Sequence, residues 1–353
     1  MPEKNFKVGI IGAGVIADFH AQALQAMEGA ELVAIYARKE DKAQSFAQKY
    51  ACSGYSDLDD FLRHDSMEVV TVASVSGVHL EHVRAAALSG KHIICEKPLE
   101  ITLQRIDEMI SICEENKVSL SGIFPRRFND STHIFKQVIK EERLGKIILC
   151  DTAIKWWRTQ EYYDSGAWRG TWNLDGGGAL MNQSIHTIDL MLHLMGDVNS
   201  VAASGGLEAH DGIEVEDIAV AMVEFKSGAR GVIQASTACF SNCGLPASIH
   251  ICGDQGSIMM VDDKFSIWDL KHSQPEDDTI LTKHGIYESS SGAGAADPKA
   301  IDFQWHQRNF EDALTALSKG EKPAVDGREG RRAVELICAI YESIRQDGAK
   351  VNL

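Results

Sequence analysis

The segment Gly12-Ala13-Gly14-Val15-Ile16-Ala17 constrains the fold of this chain more than any other part of the sequence. Its Gly-x-Gly-x-x-Ala pattern follows directly on the apolar run Val8–Ile11 and opens a stretch with helical spacing, Ala17–Met27. The first glycine permits a tight turn, and the second lets backbone amides approach a pyrophosphate at a helix N-terminus. A strand before the motif and a helix after it predict a dinucleotide site that includes Gly12, Gly14, Val15 and Ile16.

The first third of the chain alternates short β-rich runs with amphipathic helical stretches. The predicted strands are Val8–Ile11, Glu31–Ala37, Val69–Ala73, His92–Cys95 and Val118–Ser121, and the predicted helices are Ala17–Met27, Asp41–Tyr50, His79–Ser89 and Thr102–Glu115. This alternation is typical of a parallel sheet with crossover helices. We therefore predict a Rossmann dinucleotide-binding domain over residues 1–122.

Residues 123–353 have a different pattern, with longer alternating strands that favour an antiparallel sheet. The predicted strands are Ile147–Trp156, Ile218–Phe225, Arg230–Thr237 and Ser248–Cys252, and the predicted helices are Gly178–Met195, Phe303–Ser318 and Arg328–Asp347. The polar segment His272–Pro298 is interpreted as a mobile loop or an arm that contacts another copy. The predicted fold class is α/β, with a C-terminal α+β domain built on a large, mostly antiparallel, open-faced sheet.

Composition excludes several classes of partner. The 353 residues include 35 Lys and Arg against 51 Asp and Glu, and the net charge of −16 would repel nucleic acid. The eight cysteines are scattered without a Cys-x-x-Cys pair, which indicates reduced thiols in a reducing compartment, and no His or Cys group has zinc-ligand spacing. Without a signal peptide or an apolar run of membrane-span length, the sequence predicts a cytoplasmic protein with no membrane partner and no metal.

The end of the second predicted strand bears on the choice of dinucleotide. An acidic residue there would bind the ribose diol of NAD, but the sequence reads Ile35-Tyr36-Ala37-Arg38-Lys39. Arg38, together with Lys39, could pair with a 2′-phosphate, which favours NADP over NAD. The alternative is that both side chains are solvated turn residues.

A second signal is Glu96-Lys97-Pro98, directly after the strand His92–Cys95. Ligands of open α/β sheets bind at this carboxyl edge, where Lys97 could donate a hydrogen bond to a substrate oxygen. Glu96 offers Lys97 an orienting partner, and the proline stiffens the turn. The alternative is an ordinary surface lysine.

A third signal is the glycine-led segment that runs from Asp175 to Asp189. After the glycines it reads as a helix, on which Asn182, His186, Asp189 and His193 fall along one polar stripe. His186 is suited to proton exchange near neutral pH, with Asp189 or Asn182 fixing its orientation. A histidine satisfied inside the core is the alternative, and it is the favoured interpretation of His193.

These three signals, in this order, resemble the glucose-fructose oxidoreductase, inositol dehydrogenase and rhizopine-catabolism (Gfo/Idh/MocA) family over nearly the whole chain. The resemblance implies that Lys97 and His186 contact the reacting hydroxyl. Many family members have an aspartate four residues before the histidine, where this chain has Asn182, which cannot take up a proton. The resemblance also implies that Ser74 to His79 line the nicotinamide half of the cofactor site, and that Arg127, Trp168 and Arg169 border the substrate.

Together these observations predict hydride transfer between a nicotinamide cofactor and a secondary hydroxyl or ketone of a sugar or cyclitol. The predicted catalytic residues are Lys97, His186 and Asn182, and further hydroxyls of a polyol would bind Asp175, Asn182 and Tyr163. We expect a homodimer or homotetramer that forms through the C-terminal sheet.

Two alternatives remain open from sequence. One is an enzyme of the same fold with an aromatic dihydrodiol or biliverdin-like substrate, since Trp156, Trp157, Trp168 and Trp172 could line an apolar cleft. The other is a non-catalytic regulator that senses a dinucleotide.

Overall fold

The computed structural model describes residues 4–286 and 303–353. The helices are α1 Val15–Ala26, α2 Glu40–Tyr50, α3 Leu58–Leu62, α4 His79–Leu88, α5 Leu103–Glu115, α6 Asp130–Lys140, α7 Gln160–Asp164, α8 Ile185–Met195, α9 Asp277–His284, α10 Gln304–Lys319 and α11 Gly327–Arg345. The strands are β1 Phe6–Ile11, β2 Ala30–Tyr36, β3 Ser53–Tyr55, β4 Val69–Val72, β5 His92–Cys95, β6 Leu120–Gly122, β7 Ile147–Lys155, β8 Val198–Gly206, β9 Ile218–Phe225, β10 Arg230–Ser236, β11 Ser248–Gly253, β12 Gly256–Val261, β13 Lys264–Leu270 and β14 Val351–Asn352.

The chain divides into two compact units. The first unit comprises Met1–Pro125 and Asp302–Arg331, and the second comprises Arg126–Ile301 and Arg332–Leu353. The sequence predicts a domain boundary after residue 122, and the first segment of the first unit ends at Pro125. The assignment of 302–331 to the second domain differs from the structure, because α10 buries Phe310 and Leu314 in the core of the first unit.

The first unit is the expected Rossmann fold. Its six strands are all parallel and lie in the order β3-β2-β1-β4-β5-β6. The chain runs outward from β1 to β3 and then returns to the other side of β1 at β4. The carboxyl ends of β1 and β4 therefore form the switch point where ligands bind in open α/β sheets.

The second unit contains an eight-stranded sheet in the order β13-β12-β11-β7-β10-β9-β8-β14. Neighbouring strands are antiparallel except for β7 and β10, which are parallel. Along β9 the burial alternates: Ala221 and Val223 are buried, whereas Val220 and Met222 are 45% and 66% exposed. One face of the sheet therefore packs on the core and the other is open, as the sequence predicts.

Two predicted elements of the second unit differ from the structure. The predicted helix Gly178–Met195 begins as a π-helical turn over Ala179–Ser184 and becomes α-helical only at Ile185. The predicted loop His272–Pro298 contains α9, which Asp277 anchors through a 2.8 Å ion pair with Arg143, while its residues after 286 lie outside the described part of the chain. In the described ranges, no helix combines the length and apolar character needed to cross a membrane.

Candidate functional site

Gly12 forms a turn that only glycine can adopt. Its φ is +116°, and a Cβ atom there would lie 2.5 Å from the carbonyl oxygen of Ala73. The Gly12 N–H donates to Tyr36 O at 2.9 Å, and the Ala73 N–H donates to Ile11 O at 2.8 Å. The ends of β1, β2 and β4 are thereby joined at the switch point.

Gly14, unlike Gly12, has open space where a side chain would lie. Its φ of −94° is ordinary, and a Cβ atom there would meet no heavy atom within 4 Å among the described residues. It is the N-cap of α1, with no side chain capping the helix, and Val15 is 53% exposed. The first amides of α1, at Val15 and Ile16, are thus open to a ligand, as a pyrophosphate site requires.

Arg38 lies exposed after β2, and it has no carboxylate ion pair among the described residues. The nearest acid along the chain, Glu40, begins α2, and its carboxylate accepts a hydrogen bond from Gln44 at 2.6 Å. Burial, aided by the charges of His79 and Arg38, lowers the pKa of His82 to about 4. The edge next to β2 therefore has an available cation and no acid at the strand tip.

Glu96 of the Glu-Lys-Pro turn is buried in a hydrogen-bonded network. His20 of α1 donates through Nε2 to Glu96 Oε1 at 3.0 Å and accepts at Nδ1 from Thr71 Oγ1 at 2.9 Å. His306 of α10 places Nε2 3.7 Å from the same carboxylate oxygen, and the Lys97 N–H donates to Glu96 Oε2 at 2.9 Å. Glu96 therefore fixes the backbone of the turn that presents Lys97.

The charge of Glu96 follows from this network. Burial alone would raise the pKa of Glu96, but the hydrogen bond from His20 and the nearby His306 ring lower it well below the usual range. Burial lowers the pKa of His20, which suits a neutral ring that donates one N–H. The ligand atoms of these three residues lie within 4.8 Å of one another, a spacing that a metal ion could also use. His20 and Glu96 are hydrogen-bonded to each other, whereas His306 Nδ1 is buried with no hydrogen-bond partner among the described residues.

Ser74 and His79, both predicted to line the nicotinamide half of the cofactor site, differ from each other in burial and in hydrogen-bond partners. His79 is 1% exposed, with Nδ1 3.0 Å from Pro98 O and Nε2 3.1 Å from Ser74 O. It therefore joins the loop after β4 to the Glu-Lys-Pro turn through backbone carbonyls. Ser74 is half-buried, and its hydroxyl lies 2.9 Å from His82 Nδ1.

In the second unit, the glycines before the π-helical turn are held by a buried carboxylate. Glu216 accepts hydrogen bonds from the N–H groups of Gly178 at 3.0 Å and Leu180 at 2.8 Å, and from Tyr341 Oη at 3.0 Å. A Cβ at Gly178 would lie 1.8 Å from Glu216 O, and one at Gly177 would lie 2.0 Å from Tyr341 Oη. The glycines are therefore needed here for close packing.

Burial raises the pKa of Glu216 to about 7, although its three hydrogen-bond donors act in the opposite direction. The ordinary value is 4.5, so between these pH values the folded protein retains a proton that the unfolded chain has lost. The free energy of unfolding therefore decreases as pH rises through this window.

A group of polar side chains, which we call the Tyr162 cluster, surrounds the π-helical turn: Arg158, Tyr162, Arg169, Asp175, Asn182 and Gln183. The Gln183 amide nitrogen donates to Tyr162 Oη at 2.9 Å and to Asn182 Oδ1 at 3.0 Å. Asn182 in turn donates through its amide nitrogen to Asp175. An ordered set of donors and acceptors thus lies one turn before His186, which is half-buried.

Arg127 and Asp189 form a buried bidentate ion pair, with nitrogen to oxygen distances of 2.8 and 2.6 Å. Arg127 is 4% exposed and Asp189 is 1% exposed. The predicted polar stripe on α8 is therefore divided, because Asp189 faces Arg127 inside the protein while His186 is partly exposed. Arg127 is therefore held in a buried ion pair with Asp189.

Tyr163, predicted to bind a hydroxyl, is 5% exposed, and its own hydroxyl lies 2.9 Å from Thr237 Oγ1. The neighbouring Tyr162 belongs to the cluster instead. Of the predicted substrate residues, Arg169, Asp175 and Asn182 lie in the cluster, and Trp168 stacks on Arg169.

The sequence alone did not predict site roles for Arg158, Tyr162, Gln183 and Glu216. The position of Gln183 beside Asn182 was the available signal for one of them.

Comparison with known families assigns both parts of the chain. A model described as "Oxidoreductase family, NAD-binding Rossmann fold" matches residues 6–124, and one described as "Oxidoreductase family, C-terminal alpha/beta domain" matches residues 136–353. The chain belongs to the Gfo/Idh/MocA oxidoreductase family. It is therefore an NAD-binding oxidoreductase of the sugar and cyclitol dehydrogenase type, as its resemblance implies.

Several relatives match over almost their full length. The chain is 26% identical over 349 residues to myo-inositol 2-dehydrogenase of Thermotoga maritima, covering 96% of each protein. It is 26% identical over 376 residues to D-glucoside 3-dehydrogenase of Escherichia coli, covering 100% of this chain and 99% of that protein. The WlbA dehydrogenase of Bordetella pertussis, solved with NADH and UDP-GlcNAcA, has a TM-score of 0.89 and 29% identity, with coverage of 100% of this chain and 99% of the other.

Proposed function

We propose that this enzyme transfers a hydride between a nicotinamide cofactor and a carbon that carries a secondary hydroxyl or keto group in a sugar or cyclitol. The observation that carries the proposal is the Tyr162 cluster, whose amides and carboxylate lie one turn before His186 and suit a ring with several hydroxyls. The substrates named for the relatives, an inositol, a glucoside and a nucleotide-linked sugar acid, support the same class.

The proton chemistry falls to two residues of the chain. When bound, the nicotinamide supplies a hydride acceptor at C4 for oxidation, or a donor for reduction. In oxidation, Lys97 donates a hydrogen bond to the reacting oxygen while His186 takes the hydroxyl proton, so that the C–O bond becomes C=O. In reduction His186 returns the proton. Glu96 positions Lys97 through the backbone hydrogen bond described above.

Asn182, one turn before His186, is proposed as a positioning and substrate-binding residue. Its amide nitrogen donates a hydrogen bond to Asp175, the carboxylate of the cluster. An aspartate at 182, as in many family members, would set two carboxylates side by side, and one of them would retain its proton. The asparagine instead donates a hydrogen bond to Asp175.

For the cofactor, we propose a preference for NADP(H) over NAD(H). Arg38 is exposed and has no ion pair in the described ranges, and the tip of β2 bears no acid to bind a ribose diol. The surroundings of Gly12 and Gly14 suit the pyrophosphate that both dinucleotides share.

The aromatic alternative is less well supported. Trp156 lies 5.0 Å from the guanidinium carbon of Arg158, and Trp168 lies 4.5 Å from that of Arg169. Two of the four tryptophans that could line an apolar cleft are therefore stacked on cations, which suits a polar substrate.

We also propose a homodimer or homotetramer in which the open face of the second sheet is covered by another copy, because Val220 and Met222 leave apolar surface there. A cytoplasmic location is proposed from the eight free cysteines.

The test is turnover of a panel of sugars and cyclitols with NAD and with NADP, by wild type, two site variants and two control variants. Lys97→Ala and His186→Ala are each expected to lower kcat by a factor of about 100 or more while dinucleotide binding persists. Lys226→Ala and His272→Ala, at exposed sites, serve as matched controls. Near-normal kcat in both site variants would contradict the assigned roles.

A further inference from the structure

The Tyr162 cluster holds two positive charges at one aromatic ring. The guanidinium carbon of Arg169 lies 4.2 Å from the centroid of Tyr162, and that of Arg158 lies 5.5 Å from it. Arg158 is 4% exposed and hydrogen-bonds to Gln183 at 2.9 Å. Desolvation lowers the pKa of Arg158, and the charge of Arg169 acts in the same direction. Two like charges that contact one ring repel each other, and a bound anion would compensate them.

The negative charge within the cluster is limited to Asp175. Its oxygens accept from the Asn182 amide and from the Gly170 N–H at 2.9 Å. Arg169 forms no ion pair with any carboxylate of residues 4–286 or 303–353. The six side chains of the cluster thus comprise one carboxylate and two guanidinium groups, which gives the set a net positive charge.

The cluster also has more donors than acceptors. The Tyr162 oxygen accepts from Arg169 Nη1 at 2.6 Å and from Gln183 Nε2 at 2.9 Å, which leaves its own O–H to donate elsewhere. Tyr162, Arg169 and Asn182 are all partly exposed, so a ligand can reach these groups. Convergent N–H and O–H donors beside positive charge are the usual setting for a carboxylate or phosphate.

We propose that the substrate is an anionic sugar or cyclitol whose carboxylate or phosphate is bound by Arg169 and the Tyr162 hydroxyl, with Arg158 supplying a second positive charge at the same ring. This inference rests on the proposed function, since it concerns the substrate that His186 would deprotonate. Gln183 connects Tyr162 to Asn182, so the anion and the hydroxylated ring are recognised by one hydrogen-bonded network.

The experiment compares three ligands that share one ring, D-glucose, D-glucuronate and D-glucose 6-phosphate, by titration calorimetry with the cofactor-loaded enzyme. We expect at least one anion to bind about 10-fold or more tightly than glucose, and the better anion identifies carboxylate or phosphate as the group. Arg169→Gln should reduce this preference by a factor of about 10 to 100, as expected for a charge-assisted contact.

Two variants keep the result interpretable. Tyr162→Phe removes only the hydroxyl and should reduce the preference by a smaller factor, which covers the case in which Arg169→Gln does not fold. Arg84→Gln changes an arginine that is 39% exposed and paired with Glu108, and it should leave the preference unchanged.

The inference is overturned if glucose binds as tightly as both anions, if neither anion binds, or if Arg169→Gln weakens all three ligands equally. Turnover of the wider panel of sugars and cyclitols distinguishes failure of the anionic substrate class from failure of the proposed function. Oxidation of neutral sugars alone would defeat only the anionic class, whereas anion binding with no sugar or cyclitol oxidised would defeat the proposed function.

Discussion

Gly14→Ala should weaken dinucleotide binding without unfolding the protein. Gly14 has φ −94° and ψ −173°, a conformation that alanine adopts freely, and its added methyl group would meet no heavy atom within 4 Å in the described residues. The same open space lies in front of the first amides of α1. The methyl group would therefore obstruct a bound pyrophosphate and nothing else.

The magnitudes follow from these surroundings. Alanine loses less backbone entropy on folding, a gain of about 0.4–1 kcal/mol, but it is a poorer N-cap than glycine by a similar amount. The free energy of unfolding should thus change by less than about 1 kcal/mol. Loss of one or two amide hydrogen bonds to a charged phosphate, at about 1.5 kcal/mol each, should raise the Kd for NADH by a factor of about 10 to 150.

Gly12→Ala provides the matched contrast. Its φ of +116° costs alanine about 1–2 kcal/mol. The Cβ atom, 2.5 Å from Ala73 O, adds an overlap of about 1–3 kcal/mol. This variant should lose both stability and binding. Urea unfolding and NADH fluorescence titration measure the two quantities, and the reasoning is refuted if Gly14→Ala unfolds as readily as Gly12→Ala or binds NADH like wild type.

The remaining predictions concern four other features. Arg38→Ala should weaken NADP(H) binding by about 1–3 kcal/mol and leave NAD(H) nearly unchanged, as measured by paired titrations, and equal losses would exclude a 2′-phosphate contact. Because the pKa of Glu216 is raised from 4.5 to about 7, wild type should lose up to about 3 kcal/mol of unfolding free energy between pH 4.5 and 7 through this residue. Urea unfolding of Glu216→Gln should show a smaller loss, and an equal one would contradict burial as the cause. Dialysis against EDTA should leave stability and activity unchanged, and a drop restored by zinc would turn the His20, Glu96 and His306 network into a metal site. Met222→Arg should dissociate the assembly in light scattering, and an unchanged mass would exclude the open sheet face as the interface.

Local patterns in the sequence predicted the parallel sheet, five of its six strands and the glycine turn, but not the short elements β3 and α3. Strands have an apolar period of two residues and helices one of about 3.6, and both periods can be recognised in consecutive residues. These elements can therefore be predicted without information on distant contacts. The Glu-Lys-Pro turn was predicted at the sheet edge for the same reason, because its place after β5 fixes where it lies.

Side chains that depend on distant partners were beyond this reasoning. Neighbours on a short helix point in different directions, so the sequence could not tell that Tyr162 joins the polar cluster while Tyr163 is buried against Thr237. Residue spacing on α8 also could not show that Asp189 pairs with Arg127 while His186 stays partly exposed.

The sequence by itself determined the family, the dinucleotide-binding fold and the candidate residues Lys97 and His186. Tertiary structure alone decided what holds the turns around them. His306 reaches Glu96 from α10, and Tyr341 reaches Glu216 from α11, across chain separations that local patterns do not encode. The histidine partners keep the pKa of Glu96 low, whereas burial raises that of Glu216, and both effects belong to the packed chain rather than to any segment of it.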